Sequence, residues 1–526
     1  MTAPFSPRRS LAILALLLAG CSSSADRVSA PPTTFSVGGS VSGLVGSGLL
    51  LHDRKTNFET HPTADGPFTI ESDLPDGSPY EVVVATQPTN PVQRCTVFGG
   101  SGAITGADVT NIGVDCDAPV ANRSLDPDFG SGGIATAPVP GGATALALQP
   151  DGKIVVGGES KVLRFNADGT LDQTFGTAGA ADFTFPDVQA PTSQSPRGIV
   201  LQSDGKIVVA GFAQSGLTVN SQAVVARYDV NGTLDGSFGT GGRVTVDFGG
   251  VSARVHAVAL QTDGKIVLGG DVTFASATVV LDTTDFGIAR LTTDGRLDPT
   301  FGANGRAHAH FADAQIAEAF GVAIQRDGSG RIVLVGGVAP DGGTDPDVGL
   351  ASFNGDGSVD TTFGRANGVR GKIRTNMGIP GAFLQAHGVA ITGNGSIVIA
   401  GEAISGGSFQ FLTSTFGAEG GGGGPVLTSL TAKGDIGQAI ALDADGRAVV
   451  VGRAALSDTS DFGIVRFSSV GGLDSDFGDA GKLVVDLFGG FDGAQAVAIQ
   501  PDGKIVVAGF AQNGTASVLG LVRVVP

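Results

Sequence analysis

One phrase recurs along most of this chain and limits its fold more than any other feature. The turn in "PDGKIVV" returns at Asp151, Asp204, Asp263, Asp327, Asn394, Asp445 and Asp502, at intervals of 53, 59, 64, 67, 51 and 57 residues. A second phrase, "LDxxFG", begins at Leu125, Leu171, Leu234, Leu297, Val359 and Leu473. The copy expected near 415–425 has decayed into Gly420 to Gly424. Between these anchors each repeat carries four apolar runs, a to d, each of four to seven residues with a short turn between. Examples are Ala257–Leu260 (a), Ile266–Leu268 (b), Phe286–Arg290 (c) and Val244–Phe248 (d). Short apolar runs broken by turn residues predict antiparallel strands. The 85 glycines of the chain sit beside these runs and read as turns, not as low complexity. Four strands in a repeat of this length predict a β-propeller blade, and seven anchors predict seven blades.

Run a has two unequal faces. Six residues before each anchor stand Ala145, Gly198, Ala257, Gly321, Gly388, Ala439 and Ala496, and the residue four before is Ala in every repeat but one, where it is Val200. Five and three before, every residue is Val, Ile or Leu. Inner strands that crowd round an axis need large side chains on one to meet small ones on the next. The ends of the array predict closure. It opens with an orphan "LDPDFG" and a run d, Ile134 to Val139, and it finishes on a run c, Val518 to Val525. The first d run is therefore expected to complete the last sheet and remove the open edges.

The phrases "LDxxFG", "ALQxDGKIVVxG" and "DFGIARF" resemble the delta-60 repeat family of exported bacterial proteins, over about 400 residues from Leu125 onward. The resemblance implies a propeller-like fold and no particular activity.

Charged residues recur too. Arg164, Arg227, Arg290 and Arg466 in run c each precede an acid by eight residues: Asp172, Asp235, Asp298 and Asp474. Ser352 replaces the arginine before Asp360, and Arg523 has only Asp126 to meet, through closure. These pairs read as a structural clasp across the c–d turn. That turn, as in Asn166 to Asp172, has the oxygen spacing of a calcium loop without its closing bidentate acid, so an ordinary Asp-Gly turn is expected. No other cofactor is expected. His308 and His310 share one face of a strand with no third metal ligand in view.

Seven residues before each anchor, where run a starts, stand Thr144, Arg197, His256, Phe320, His387, Gln438 and Gln495. They are expected to ring one mouth of the central channel. The a–b and c–d turns are short and uniform. The b–c and d–a connections, such as 186–196, 271–284, 339–347 and 377–385, are long and variable, and should share the mouth's face. Variable loops on a rigid scaffold commonly carry binding.

The first 20 residues read as an export signal, with Arg8 and Arg9 ahead of a short apolar stretch, Leu11 to Leu18. Leu18-Ala19-Gly20-Cys21 resembles the bacterial lipobox, which implies lipid on Cys21 and, with Ser22 next, outer-membrane sorting. Residues 21–34 read as a tether and 35–117 as a small immunoglobulin-like β-sandwich, with 120–526 forming the propeller. The phrase from Phe35 to Gly43 resembles the start of a module found in secreted bacterial β proteins. Cys95 and Cys116 remain as a disulfide pair in an oxidising compartment. A net charge of −18 argues against a nucleic-acid partner. No nucleophile elbow, zinc-protease motif, P-loop or dinucleotide fingerprint is present, so no catalytic residue is assigned. The expected role is a binding or scaffolding lipoprotein facing the periplasm or the cell surface, with an envelope protein or small ligand as partner. The alternatives are a hydrolase or lyase drawing on Arg197, His256, His387, Glu318 and Glu402, or an accessory subunit of an envelope assembly.

Overall fold

The computed structural model describes residues 33–525 apart from 46, 89–94, 117–124, 189–190, 217–219, 276–281, 313, 341–344, 366–368 and 457. The export signal, Cys21 and nearly all of the tether lie outside the described residues. The chain divides into two compact units, Met1–Ala121 and Asn122–Pro526. Among the described residues every regular element longer than a turn is a β-strand.

The first unit has two four-stranded sheets. One orders Gly66–Pro75, Thr34–Ser42, Val109–Cys116 and Cys95–Phe98; the other orders Glu59–Thr60, Leu50–Asp53, Pro79–Thr86 and Ser101–Ala103. Thr34–Ser42 and Val109–Cys116 run parallel, while the other pairings are antiparallel. Alternate residues turn inward, so Val37, Val41, Leu51, Ile112 and Val114 form one shared core. Cys95 and Cys116 are register partners and form the disulfide.

In the second unit each repeat forms four hydrogen-bonded neighbours in the order a-b-c-d. The a strands are Ala143–Leu148, Pro191–Leu201, Ser252–Leu260, Ala314–Ile324, Phe383–Ile391, Asp435–Leu442 and Gly493–Ile499. A single bridge, Thr284 to Ile316, joins the third and fourth sets into one eight-stranded sheet. The decayed anchor still yields a d strand, Gly422–Thr428. The last set borrows its d strand from the start of the unit. Ile134–Ala137 pairs antiparallel with Ala516–Val524, in the register Leu519↔Ala137 to Val522↔Ile134. Each a strand packs on the next, and Gly493–Ile499 packs back on Ala143–Leu148.

Size complementarity between a strands is visible at three glycines. A Cβ on Gly198 would stand 2.7 Å from Val258, one on Gly388 3.0 Å from Ile440, and one on Gly321 3.1 Å from Val389. In each case the small residue faces the large residue of the following set, which is the interlock the two-sided run a implies.

The a strands are not regular, however. In every set the a–b register shifts at the residue seven before the anchor. Thr144, Arg197, His256, Phe320, His387, Gln438 and Gln495 are therefore all bulge residues, each extra on its strand. The bulge presses strand a's carbonyl onto strand b. A Cβ at Gly270 would lie 1.9 Å from the Arg254 oxygen, and at Gly336 1.8 Å from the Glu318 oxygen. Only glycine fits under that approach. This accounts for the glycine that ends "IVVxG".

Candidate functional site

The bulges have one consequence for function: they re-aim seven side chains toward the axis. All seven line a single cavity of about 280 Å³, together with the small residue and the large one that follow each of them. The seven ring positions thus share one place in space and hold five kinds of side chain.

Two acids stand behind it, both at the far end of strand b. His256 Nε2 is 2.7 Å from buried Asp271, and His387 Nε2 is 3.3 Å from buried Glu402. Arg254 reaches Asp271 and Glu318, at 3.8 Å each. Burial, then the nearby Asp271, raises the Glu318 carboxyl above its usual range, with Arg254 and His256 opposing. Phe320 separates the two histidines in ring order, with its centroid 5.1 Å from each. Arg197 lies over the Phe212 ring at 5.3 Å. Each histidine is therefore tied to its own acid, and His256, His387, Glu318 and Glu402 form two separate polar groups.

A larger cavity, about 980 Å³, lies elsewhere, against the short a–b and c–d turns of sets two to four. Clasp residues Arg227 and Arg290 line it. Both are paired with the acid of their own clasp, so the smaller mouth is the better candidate.

Arginine–aspartate ion pairs close across the c–d turns. Arg164–Asp172 closes at 2.7 Å, Arg227–Asp235 at 2.9 Å, Arg290–Asp298 at 2.9 Å and Arg466–Asp474 at 2.8 Å. Arg523 meets Asp126 at 2.8 Å across 397 residues of chain. Ser352 donates to Asp360 at 3.0 Å, and Arg331 supplies the missing guanidinium at 2.9 Å.

Three features of the clasp are invisible in the eight-residue spacing. The guanidiniums of Arg164, Arg227, Arg290, Arg466 and Arg523 also stack on a Phe of an anchor phrase, 4.7 Å for Arg164 over Phe175 and 4.6 Å for Arg523 over Phe129. Arg164, Arg227, Arg290 and Arg523 each donate a further bond to a c–d turn carbonyl of the next set: Val230, Thr293, Gly355 and Ala167. The lysine after the Asp-Gly turn gives the acid a second cation, as in Lys153–Asp172 at 2.9 Å. Burial works against ionising Asp172, but Thr174, Lys153 and Arg164 together hold its carboxyl well below the usual range.

The two carboxylates of the turn that suggests a calcium loop accept hydrogen bonds close by. Asp168 accepts from the Thr170 amide and hydroxyl, and Asp172 divides its two oxygens between Thr174 and the cations. His308 and His310 each reach a different oxygen of buried Asp285, both at 2.8 Å. That hydrogen bond raises the His308 pKa against the cost of burial. Sequence reasoning missed the acidic trio Asp461, Asp486 and Asp492, whose carboxylate oxygens lie within 4.8 Å of one another.

Four stretches, residues 149–175, 202–238, 261–301 and 500–524, match the family described as "Domain of unknown function (DUF5122) beta-propeller". The repeat is a β-propeller repeat. No curated protein matches the chain. Among solved structures, an ulvan lyase of polysaccharide lyase family PL25, bound to -[GlcA(1-4)Rha3S]-, is 14% identical with a TM-score of 0.42, covering 74% of this chain and 95% of its own. The polysaccharide lyase Uly1 is 10% identical, with a TM-score of 0.38, over 77% of this chain and 98% of its own. Drosophila plexin A, in complex with semaphorin 1b, is 11% identical with a TM-score of 0.35, over 73% and 88%. Lyases and a plexin stand together at this level, so the likeness does not reach to function.

Proposed function

We propose that this chain is a bacterial envelope lipoprotein whose propeller binds a ligand or partner at the axial mouth. The propeller is read as a closed ring of seven blades of the delta-60 type, preceded in the chain by a small immunoglobulin-like sandwich and anchored through lipid on Cys21. It stands on the outer membrane, facing the periplasm or the outside. One observation carries the reading: seven equivalent positions converge on one cavity, yet hold seven chemically varied side chains. A ring kept only for packing would repeat one residue, as the clasp repeats arginine. Divergence at the mouth alongside repetition at the clasps marks the mouth as the specialised place.

The test is capture from envelope extract by wild-type protein and by Phe320→Ala. A component retained by the first and lost from the second supports the reading; retention by both contradicts it. Cys21→Ser should move the protein from the membrane to the soluble fraction.

A second reading, a hydrolase or lyase, draws on the His256–Asp271 and His387–Glu402 pairs, since a carboxylate behind an imidazole orients a general base. It requires turnover of a bound ligand that His256→Ala or His387→Ala abolishes while binding persists.

A further inference from the structure

The mouth residues fall into two arcs. Gln438, Gln495, Thr144 and Arg197 come from four consecutive sets, the ring closing between Gln495 and Thr144. His256, Phe320 and His387 come from the other three and form a continuous aromatic wall. The polar arc holds unused hydrogen-bonding capacity. The Gln438 and Gln495 amides have no hydrogen-bond partner among the described residues. Thr144 donates its hydroxyl to the Pro196 carbonyl at 2.6 Å, leaving its oxygen as an acceptor.

Arg197 is the telling member. Its Nε is buried with no acceptor, and the guanidinium has no carboxylate partner among the described residues. Burial disfavours its charged state, and a second cation, Arg254, adds to that effect. Every clasp arginine, by contrast, is paired with an acid. A partly buried guanidinium beside another cation is costly unless an anion arrives. Its planar fork matches a carboxylate.

We infer that the mouth takes a sugar acid, a ring-sized polyol bearing a carboxylate. The carboxylate meets Arg197, the hydroxyls meet Gln438, Gln495 and Thr144, and the apolar ring face lies on Phe320. The cavity of about 280 Å³ suits one such ring. The inference rests on the mouth being a binding site and adds the class of ligand.

Calorimetric titration of the full chain with glucuronate, its methyl glycoside, glucose and inorganic sulfate tests it. At usual ligand efficiencies for so small a molecule, glucuronate should bind with a Kd between about 10 µM and about 1 mM. Glucose should bind at least ~10-fold more weakly, and sulfate alone should not reproduce the affinity. The methyl glycoside separates a free acid, which it would mimic poorly, from a polymer end, which it would mimic well. Arg197→Gln should weaken glucuronate about 30-fold and glucose little, and Arg197→Lys should fall between. Because Arg197→Gln removes an uncompensated cation, the unliganded variant should melt no lower than wild type, which guards against misfolding as the cause. Equal binding of glucose and glucuronate, or full affinity in Arg197→Gln, overturns the inference while leaving the mouth a binding site. Absence of all sugar binding alongside capture from envelope extract that Phe320→Ala abolishes overturns it too. Loss of both overturns the site itself.

Discussion

Replacing Arg523 by Met probes the contact that joins the two ends of the propeller unit. Arg523 pairs with Asp126 at 2.8 Å, stacks on Phe129 at 4.6 Å and donates to the Ala167 carbonyl of the first set. Asp126 is 3% exposed and keeps only Lys504, at 2.9 Å, as a cation once Arg523 is gone. The stacked cation contributes ~1 kcal/mol and the charge-assisted bond ~2 kcal/mol. The acid left behind is buried but still has Lys504, so the full cost of orphaning a buried charge is not incurred. The expected loss is about 3 kcal/mol, which in a unit of this size lowers the melting temperature by roughly 3–5 °C. The internal control is Arg290→Met, whose clasp has the same parts without bridging the two ends of the unit: Asp298 at 2.9 Å and Phe301 at 4.7 Å from its own repeat, and the Gly355 carbonyl from the next. Differential scanning calorimetry of both variants should give equal losses within about 1 kcal/mol. A clear loss in Arg290→Met with none in Arg523→Met would refute the closure argument, because Arg523 would then be an ordinary terminal residue.

Three further outcomes follow from particular contacts. Gly270→Ala places a Cβ 1.9 Å from the Arg254 oxygen, so it should cost ~3 kcal/mol or more in thermal unfolding and displace His256 from the mouth. Asp492 is fully buried, and burial pushes its carboxyl up to about 6, against backbone bonds from Leu487 and Gln512. A raised folded value means stability is lost as pH rises from about 4 to about 6, by roughly 2–3 kcal/mol. Asp492→Asn should therefore gain on wild type in melts as the pH is raised from 4 to 8, and an effect independent of pH would contradict the assignment. Cys116→Ser opens the 21-residue disulfide loop and should destabilise the first unit by about 3 kcal/mol in denaturant titration, leaving the second unit's transition unchanged.

Much of this fold is legible in the sequence because a repeat makes every signal appear several times. The small-and-large alternation of run a needs no structure to be read, and it reappears as Gly198 under Val258 and Gly388 under Ile440. The clasp was legible for a similar reason, since Arg and Asp keep one spacing in four of the sets. What spacing cannot show is contact between sets. The stacking of Arg523 on Phe129 and its bond to Ala167 join residues hundreds of positions apart. Nor could spacing show that Arg331, at a position otherwise held mostly by lysine, restores the guanidinium lost at Ser352. The mouth residues were legible as a ring position, but not as bulges. The alternation of run a continues smoothly through them on paper, and the sole hint was the glycine opposite, which alone permits the carbonyl to approach. The mouth's chemistry was hidden for another reason. Glu402 is among the residues the sequence nominates and Asp271 is not; the contact each makes with a histidine fifteen residues earlier crosses from strand b to strand a, which spacing alone does not reveal.

Hydrogen exchange of the backbone amides of residues 134–137 and 519–523 tests the central claim most directly. If Ile134–Ala137 is the fourth strand of the last sheet, both segments should exchange together, and as slowly as the buried b strand Ile505–Asn513. Exchange of 134–137 at the rate of an unpaired peptide, with 505–513 still protected, would show an open ring and remove the basis for a single mouth.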